Sequence, residues 1–354
     1  MSCPQILIVP LPEHGHVLPS FVLSKRLCDM GYAVTCLTHS RFRVMLESAG
    51  VAFQSFSTFE SETENDDGST AWLRLRAGHV GVSISDVFER EIALTMRSRH
   101  VDLILVDAAI IRSGGRTLPQ RFGIDRFVVY STALPAWSER DVELAPVPHI
   151  ILCPEFVEIP QFISRHPNVV YAEPSCGDRI ERPTHERSNM VLVSFGSQAS
   201  RYRELPCILR TLFTTASTRS ELEFRIVAPL LDEYAASVPG NVVPLYPHEF
   251  SSSFQRAAVF ISHGGLGGVK EALFVGIPHI ILPQLYDQEL NAARCTYHEW
   301  GTAVSQSELS TKTLNEALDL SFGNRFGNAL QLAQEKIWRA EEQSPAVKLI
   351  TTLL

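Results

Sequence analysis

The densest group of chemically useful residues lies between Ser262 and Glu271, where the sequence reads Ser-His-Gly-Gly-Leu-Gly-Gly-Val-Lys-Glu. An apolar run precedes the glycines and a helix-periodic run over 269–275 follows them, which predicts a buried strand that passes into a helix through glycines. Glycines leave backbone N–H groups accessible, and these groups bind phosphate together with the positive end of the helix dipole. The segment therefore indicates a site for a phosphorylated small molecule with a hydroxyl-bearing ring.

Separate tasks are expected for the members of this segment. His263 is expected to donate a hydrogen bond to a diphosphate, while Gly265, Gly267 and Gly268 belong to the same site and let backbone N–H groups approach the ligand. Glu271 is expected to accept hydrogen bonds from vicinal ribose hydroxyls, as acidic residues do in dinucleotide sites. The simpler alternatives are a tight turn with packing glycines and a glutamate that faces solvent.

Polar residues at two other strand ends extend the expected site. Asp287 and Gln288 follow the next predicted strand, and a carboxylate beside an amide offers acceptors and donors at fixed spacing to a polyhydroxylated ring. Ser197 follows another predicted strand and could donate to a phosphate or its sugar. Asp287 could instead cap the helix that starts near Glu289, and the turn at Ser197 could be an ordinary strand end.

Acid–base chemistry is expected from two residues in the first third of the chain. His16 lies in His-Gly-His-Val-Leu-Pro, in the loop after the first predicted strand, where a neutral imidazole can take a proton from a hydroxyl. Asp107 ends the fourth predicted strand and could hold the far nitrogen of His16 and stabilise the imidazolium. Taken singly, a loop-bound histidine and a helix-capping aspartate are the favoured explanations. His14 is a competing candidate that we expect to face solvent.

A scaffold of alternating strands and helices would bring these strand ends together. We predict strands near residues 5–9, 33–37, 51–56, 102–106, 127–130, 190–195, 223–227, 241–244, 259–262 and 279–282. Such alternation predicts an α/β fold with parallel sheets and helices on both faces, and two such units predict two Rossmann-like domains facing across a cleft. Ligands of these sheets bind at the carboxyl ends of the strands.

Other segments lead to more local predictions. We predict a first helix from about Leu18 to Met30 with Pro19 near its start, and a long helix over about 71–99. The acidic stretch 57–70 is predicted to be a surface loop, with a role in gating an acceptor site left open. Residues 147–160 are predicted to form an irregular connection. The polar stretch 172–189 is the best candidate for a linker.

Composition restricts the class of protein. The chain has 354 residues, 45% of them hydrophobic, and a formal net charge of −8, which argues against nucleic acid as a partner. No apolar run is long enough to cross a bilayer and no signal peptide is recognisable, so we expect a cytoplasmic protein. Seven cysteines without a Cys-x-x-Cys pair are expected to be reduced thiols, and no metal site is expected.

These motifs together resemble the GT-B glycosyltransferases of family 1, which use nucleotide sugars and include macrolide, flavonoid and glucuronosyl transferases. The resemblance runs from Ile6 to about Ala303, and its most specific part is the spacing from His263 to Gln288. The segment His16-x-x-Pro19 is a second, independent match. The resemblance implies an inverting, metal-independent transfer of a sugar from a nucleotide diphosphate sugar to a hydroxyl of a small apolar acceptor such as a natural product. It implies no cofactor beyond this co-substrate. We expect a UDP-sugar rather than a TDP-sugar as the donor.

The resemblance also assigns roles. His16 matches the general base of the family and Asp107 its partner, whereas His263 matches the residue that contacts the diphosphate. Glu271 matches the family residue that binds the ribose. Asp287 and Gln288 match the residues that hold the donor sugar. Residues 1–175 would form the acceptor-binding domain and 188–340 the nucleotide-sugar-binding domain, with a C-terminal helix over 341–354 packing back on the first.

Departures from the family pattern concern the base and the acceptor. Many relatives have Trp-x-Pro-Gln under the nucleobase, but this chain has Leu-Tyr-Pro-His at 245–248, which moves the aromatic platform to Tyr246. The first domain is shorter than usual, and we expect its acceptor lining near 57–90 and 131–150. The oligomeric state stays open.

Rival functions are weaker. A nicotinamide-dependent oxidoreductase would need Gly-x-Gly-x-x-Gly after an early strand, and the loop at 11–16 contains only Gly15. A non-catalytic nucleotide-sugar-binding helper protein and a nucleotide-sugar epimerase or hydrolase remain as alternatives on the same fold.

Overall fold

The computed structural model describes residues 3–56, 83–134, 147–176, 180, 182–183, 188–227, 231, 238–285 and 287–354. The predicted acidic loop at 57–70 lies outside these residues. The predicted helix over 71–99 and the acceptor lining near 57–90 and 131–150 lie only partly within them.

The chain divides into two compact units. One unit comprises Met1–Ser175 together with Gln343–Leu354, and the other comprises Cys176–Glu342. Each unit contains one parallel sheet with helices, so the predicted fold class of two parallel-sheet α/β domains is confirmed.

The first unit is built on a seven-stranded sheet in the order β3-β2-β1-β4-β5-β6-β7. Its strands are β1 (Gln5–Val9), β2 (Ala33–Thr38), β3 (Ala52–Ser55), β4 (Leu103–Asp107), β5 (Phe127–Ser131), β6 (His149–Ile151) and β7 (Val169–Tyr171). Its helices are α1 (His14–Asp29), α2 (Arg43–Ser48), α3 (Ile84–Ser98), α4 (Ala108–Arg112), α5 (Leu118–Phe122) and, from the C-terminal end, α12 (Pro345–Leu353).

Both faces of this sheet are covered, which explains why its central strands are continuously apolar. In β1, Ile6 and Ile8 pack into the core that includes residues of α1 and α12, while Leu7 and Val9 pack into the opposite core with residues of α3. This alternation is the two-residue period of a strand. The packing fixes which residues stand at the carboxyl edge.

The second unit has a six-stranded parallel sheet in the order β10-β9-β8-β11-β12-β13. Its strands are β8 (Met190–Ser194), β9 (Glu223–Val227), β10 (Val242–Leu245), β11 (Val259–Ser262), β12 (His279–Ile281) and β13 (Gly301–Ala303). Its helices are α6 (Leu205–Thr218), α7 (Phe250–Arg256), α8 (Leu266–Val275), α9 (Gln288–Tyr297), α10 (Thr311–Phe322) and α11 (Gly327–Gln343).

Each sheet has a topological switch point between its first and fourth strand in sequence order. In the first unit β1 is hydrogen-bonded to both β2 and β4, and in the second β8 is bonded to both β9 and β11. Connections leave in opposite directions at such a point and open a crevice at the carboxyl ends of the two strands. The loops that follow β1, β4, β8 and β11 are therefore the places to look for ligands.

The first helix begins one turn earlier than predicted, at His14 instead of Leu18. The carbonyl of Glu13 accepts the N–H groups of His16 at 2.9 Å and Val17 at 2.8 Å, which starts the helix before the proline. Pro19 consequently lies in the second turn, where it has no N–H to donate. His16 is thus a first-turn helix residue and not a loop residue.

The prediction of an irregular connection over 147–160 is wrong for its first part, because β6 occupies His149–Ile151. The strands β7 and β13 were not predicted either. All three strands have only three residues, which is too short for a hydrophobic period to emerge. Helix α8 also starts earlier than predicted, at Leu266 instead of Val269. No helix in the described part of the chain is long and apolar enough to span a bilayer.

Candidate active site

His16 and Asp107 meet at the switch point of the first sheet. The Nδ1 atom of His16 lies 2.8 Å from Oδ2 of Asp107, which is fully buried at the end of β4. The same carboxylate accepts the N–H of Ala109 at 2.8 Å and that of Leu11 at 3.4 Å. Asp107 therefore caps helix α4 and also holds the imidazole of His16. The helix-cap explanation and the explanation as a partner of His16 both apply to it.

The pair shifts the acid–base properties of both residues. Burial alone would lower the pKa of His16, but the charge of Asp107 and the hydrogen bond to it outweigh burial and raise the pKa above its ordinary 6.5. Burial alone would raise the pKa of Asp107, but the charge and hydrogen bond of His16 hold it below 3.8. The aspartate is thus ionised near neutral pH and accepts a hydrogen bond from Nδ1–H of the neutral imidazole.

The other ring nitrogen of His16 is left available. Among the described residues, Nε2 makes no hydrogen bond, and a quarter of the side chain, 25%, is exposed. With Nδ1–H directed at Asp107, Nε2 carries the lone pair and can accept a proton. His14, the competing candidate, is exposed and packs edge-on against Phe42 with ring centroids 5.0 Å apart.

Thr132 is a third member of this group that sequence reasoning missed. It lies just after β5, and its Oγ1 is 3.1 Å from Nδ1 of His16. Strand β5 neighbours β4 in the sheet, so the end of β5 falls beside Asp107. The available signal was a hydroxyl residue directly after a predicted strand next to the switch point.

His263 stands at the switch point of the second sheet, between two glycines. A Cβ atom added to Gly196 would lie 2.8 Å from Cε1 of His263, and one added to Gly265 would lie 2.7 Å from its Nε2. Gly196 also has a φ of +70°, which a side chain rarely adopts. Both glycines are therefore required by the close approach of the imidazole, and the explanation by packing glycines is true of this part of the segment.

His263 is held as a neutral imidazole. Burial lowers its pKa to about 4, despite a backbone hydrogen bond with Ser194. Its Nδ1 atom is buried and has no hydrogen-bond partner among the described residues. Tyr202 lies beside it, with ring centroids 5.8 Å apart. A buried polar atom without a partner is costly, so this nitrogen is suited to receive or donate a hydrogen bond when a ligand binds.

The glycine segment then opens helix α8. Gly265 is the N-cap residue and provides no side chain to cap the first turn. The N–H groups at the start of the helix are thus not covered by a capping side chain, and Gly267 is exposed with nothing within 4 Å of an added Cβ atom. Gly268 differs, since a Cβ there would approach Cε1 of Phe260 to 3.1 Å. The helix start has the properties of an anion site.

The remaining predicted donor residues differ in how exposed their side chains are. Glu271 is buried at 5% exposure, so the solvent-facing alternative is wrong. Asp287 is the N-cap residue of α9, but its side chain does not cap the helix, so the capping alternative is wrong too. Ser197 is exposed in the turn after β8, and Tyr246 is 52% exposed and stacks on His248.

Gln288 is more constrained than the sequence indicated. Its Oε1 accepts the N–H of Gln284 at 2.7 Å and of Leu285 at 2.9 Å, and its Nε2 donates to the hydroxyl of Tyr202 at 3.2 Å. The side chain is 3% exposed. It therefore shapes the turn before α9, and one of its two Nε2–H groups has no partner among the described residues.

In the described ranges, no three or more His, Cys, Asp or Glu side chains form a group that could hold a metal ion.

Known proteins resemble this chain in part of its sequence and in its fold. Residues 221–350 match the family model of the erythromycin biosynthesis protein CIII-like C-terminal domain. The NDP-glycosyltransferase YjiC of Bacillus subtilis (strain 168) is 22% identical over 358 residues, with 88% of each chain covered. The glycotransferase of kitacinnamycin superposes with a TM-score of 0.78 at 19% identity and complete coverage of both chains. The chain is therefore similar to the GT-B glycosyltransferases of family 1 in part of its sequence and has their fold.

A second solved relative shows the same fold. The spinosyn rhamnosyltransferase SpnG, solved with thymidine diphosphate, matches with a TM-score of 0.71, 18% identity and 99% coverage of each chain. The similarity to glycosyltransferases in sequence and in fold supports the prediction that the protein is an enzyme. The roles of the individual site residues stay predictions.

Proposed function

We propose that this protein is a glycosyltransferase that moves a sugar from a nucleotide diphosphate sugar to a hydroxyl group of a small apolar acceptor, with inversion at the anomeric carbon. The observation that carries the proposal is the His16–Asp107 pair: a buried carboxylate holds Nδ1 at 2.8 Å, while Nε2 makes no hydrogen bond with any described residue. An imidazole held in this tautomer is a general base for a hydroxyl.

The chemical step follows from that pair. Nε2 of His16 takes the proton of the acceptor hydroxyl as its oxygen forms a bond to the anomeric carbon. The bond between that carbon and the diphosphate oxygen breaks on the opposite face, and the leaving nucleoside diphosphate carries the electron pair away. The transition state is oxocarbenium-like. Asp107 stabilises the imidazolium that results, as the raised pKa of His16 indicates.

The second unit would bind the donor. The start of α8 and His263 would receive the diphosphate, because charge grows on the leaving group as the bond breaks. Glu271 would accept hydrogen bonds from the ribose, and Asp287, with the one free N–H of Gln288, would hold the sugar. Ser197 and Tyr246 would complete the donor site near a phosphate and the base. No metal or cofactor enters this scheme.

Donor and acceptor identities are the finer part of the proposal. The expected base is uracil, and the complex of SpnG with thymidine diphosphate makes thymine the first alternative. The names of the solved neighbours refer to kitacinnamycin and spinosyn, which supports a natural product as the acceptor class. A cytoplasmic location stays a prediction from the sequence.

A donor screen tests the proposal. UDP- and TDP-sugars are added to the protein and its thermal stability is measured; a donor at a hundred times its dissociation constant should add about 2.7 kcal/mol. The stabilising donor is then incubated with a panel of polyketide and flavonoid acceptors, and the anomeric configuration of the product is read by NMR. Stabilisation by no nucleotide sugar would reject the function, and a donor that binds without transfer or hydrolysis would favour the binding-protein alternative.

A further inference from the structure

Asn291 connects the two parts of the proposed donor site. It lies in α9, is 1% exposed, and its Nδ2 donates to the carbonyl oxygen of Gly264 at 2.9 Å and to Oδ2 of Asp287 at 2.9 Å. We propose that Asn291 is a positioning residue that sets the sugar-binding carboxylate of Asp287 relative to the phosphate-binding glycine segment. The inference rests on the proposed function, because it assumes that a nucleotide sugar occupies this site.

The orientation of the Asn291 amide is determined by its neighbours. Nη1 of Arg294, a buried residue one turn further along α9, donates to Oδ1 of Asn291 at 2.9 Å. A guanidinium group only donates, so the amide oxygen must face it and the amide nitrogen must face Gly264 and Asp287. Both of those partners offer acceptors. The three contacts are thus compatible with one orientation of the side chain only.

The glycine segment is held from both sides at Gly264. Its N–H donates to Oγ of Ser262 at 2.9 Å, and its carbonyl accepts from Asn291. Its φ of +84° is in the left-handed region, and an added Cβ atom would collide with the side chain of Ile281. The backbone at this point therefore has little freedom, and its orientation sets that of the N–H groups that follow.

Asp287 is held through one oxygen only. Oδ2 accepts from Asn291, whereas Oδ1 makes no hydrogen bond with any residue of the described ranges. A carboxylate fixed in this way keeps one oxygen for a hydroxyl of a sugar. Since a nucleotide sugar must reach both the glycine segment and Asp287, one amide controls the spacing that the donor has to match.

The substitution Asn291→Asp tests the inference with little change of shape. It keeps an acceptor for Arg294 but places a second oxygen against the carbonyl of Gly264 and the carboxylate of Asp287. Loss of hydrogen bonds to a charged partner predicts a fall of about 10- to 100-fold in nucleotide-sugar affinity and in kcat/KM. Ala293→Asp is the matched control, because Ala293 is exposed on the same helix and the change adds the same charge. The control should stay within about twofold of wild type.

A double-mutant cycle separates positioning from general stability. If Asn291 acts through Asp287, the double variant that combines Asn291→Ala with Asp287→Ala should weaken donor binding about as much as Asp287→Ala alone. The same variants should bind the free nucleoside diphosphate with smaller losses, since it lacks the sugar. A structural role alone would give additive losses and equal effects on both ligands, and that result would overturn the inference.

The outcomes also separate this inference from the proposed function. Wild-type protein that binds no nucleotide sugar rejects the function and with it the basis of the inference. Wild-type protein that binds and turns over, beside a folded Asn291→Asp variant with unchanged dissociation constant and kcat, rejects the inference alone. Circular dichroism and thermal denaturation establish folding. If Asn291→Asp does not fold, the alanine cycle decides the question.

Discussion

Gly265 and His263 are packed so closely that a Cβ atom at position 265 would lie 2.7 Å from Nε2 of the imidazole. The φ of Gly265 is −59°, so an alanine is not strained by the backbone and acts through this contact alone. Gly265→Ala should displace His263 and weaken nucleotide-sugar binding about tenfold or more, as loss of a charge-assisted hydrogen bond does. Gly240→Ala is the control, because nothing lies within 4 Å of its added Cβ. Calorimetry that finds equal dissociation constants for the two variants would contradict the prediction.

Donor binding should be accompanied by proton uptake at His263. The pKa of the imidazole is about 4, because burial disfavours the charged form. A diphosphate beside it favours the imidazolium and raises the pKa, so affinity should rise as pH falls from neutral towards that value. Calorimetry at about pH 5.5, which lies between the pKa of His263 and neutral pH, measures this uptake. The measurement is repeated in buffers of different ionisation enthalpy. His263→Asn should abolish it, and a wild-type binding enthalpy that is independent of the buffer would refute the idea.

Removal of His16 should affect turnover and spare donor binding. His16→Ala removes the proposed general base and should lower kcat by about two to four orders of magnitude. His14→Ala is the matched control, because His14 is the exposed histidine two residues earlier in the same helix turn. Steady-state kinetics and donor affinity should be measured on both variants. Comparable losses of kcat in the two, or none in His16→Ala, would remove His16 from this role.

The rate should depend on pH through the His16–Asp107 pair. The base must be neutral, and its pKa is raised above 6.5, so kcat/KM should increase with pH through a midpoint above that value. Asp107→Asn removes the charge that raises this pKa and leaves burial, which lowers it. The midpoint should therefore move below that of wild type, while the rate falls because Nδ1–H loses its acceptor. A midpoint that stays in place would show that Asp107 does not control the base.

The same pair contributes to stability with a definite sign. Because the folded pKa of His16 is raised, its contribution is complete below pH 6.5 and is lost as pH rises through the folded pKa. Because that of Asp107 is lowered, its contribution is present above pH 3.8 and is lost as pH falls through the folded pKa. The free energy of unfolding of the wild type should therefore decrease both towards low pH, where Asp107 becomes protonated, and towards high pH, where His16 loses its proton. Denaturation of Asp107→Asn over the same pH range should show neither decrease.

Glu271 provides a test of the ribose assignment. Glu271→Gln keeps the shape of this buried side chain but replaces a charged acceptor by a neutral one that also donates. Nucleotide-sugar affinity should fall by about 10- to 100-fold, as expected for hydrogen bonds to a charged group. The corresponding 2′,3′-dideoxy donor, which lacks both vicinal hydroxyls, should lose much less affinity on the same substitution. Identical losses for the two donors would contradict a contact with the ribose hydroxyl.

The sequence predicted those elements that have a strong apolar pattern. Strands β1 and β11 have the predicted bounds, because each contains an uninterrupted apolar run, 6–9 and 259–261 respectively. Strand β6 was missed since it has only three residues inside a proline-rich stretch. The start of α1 was misplaced because Pro19 is typical of a first turn, whereas the structure has it in the second. Local rules therefore gave the sheet but not its edges or the helix starts.

The candidate site was likewise predicted only in part from the sequence. That His16 and Asp107 meet follows from the positions of β1 and β4, whose carboxyl ends any parallel sheet of this order brings together. Asn291 could not be found, because its role depends on side-chain directions and not on spacing in the chain. Thr132 was missed although it directly follows a predicted strand next to the switch point. The packing of His263 between Gly196 and Gly265 joins residues almost seventy positions apart, and only the fold shows it.

Helix α12 has a consequence for biosynthesis. Its buried residues Ala346, Val347 and Ile350 complete a core of the N-terminal unit, and the N–H of Ala346 is bound by the buried carboxylate of Glu173 at 2.8 Å. The ribosome delivers this helix only after residues 176–342 have been made, and at about 5–20 residues per second that takes roughly ten to thirty seconds. Throughout this delay the nascent N-terminal unit has an uncovered apolar surface, which is a natural target for chaperones.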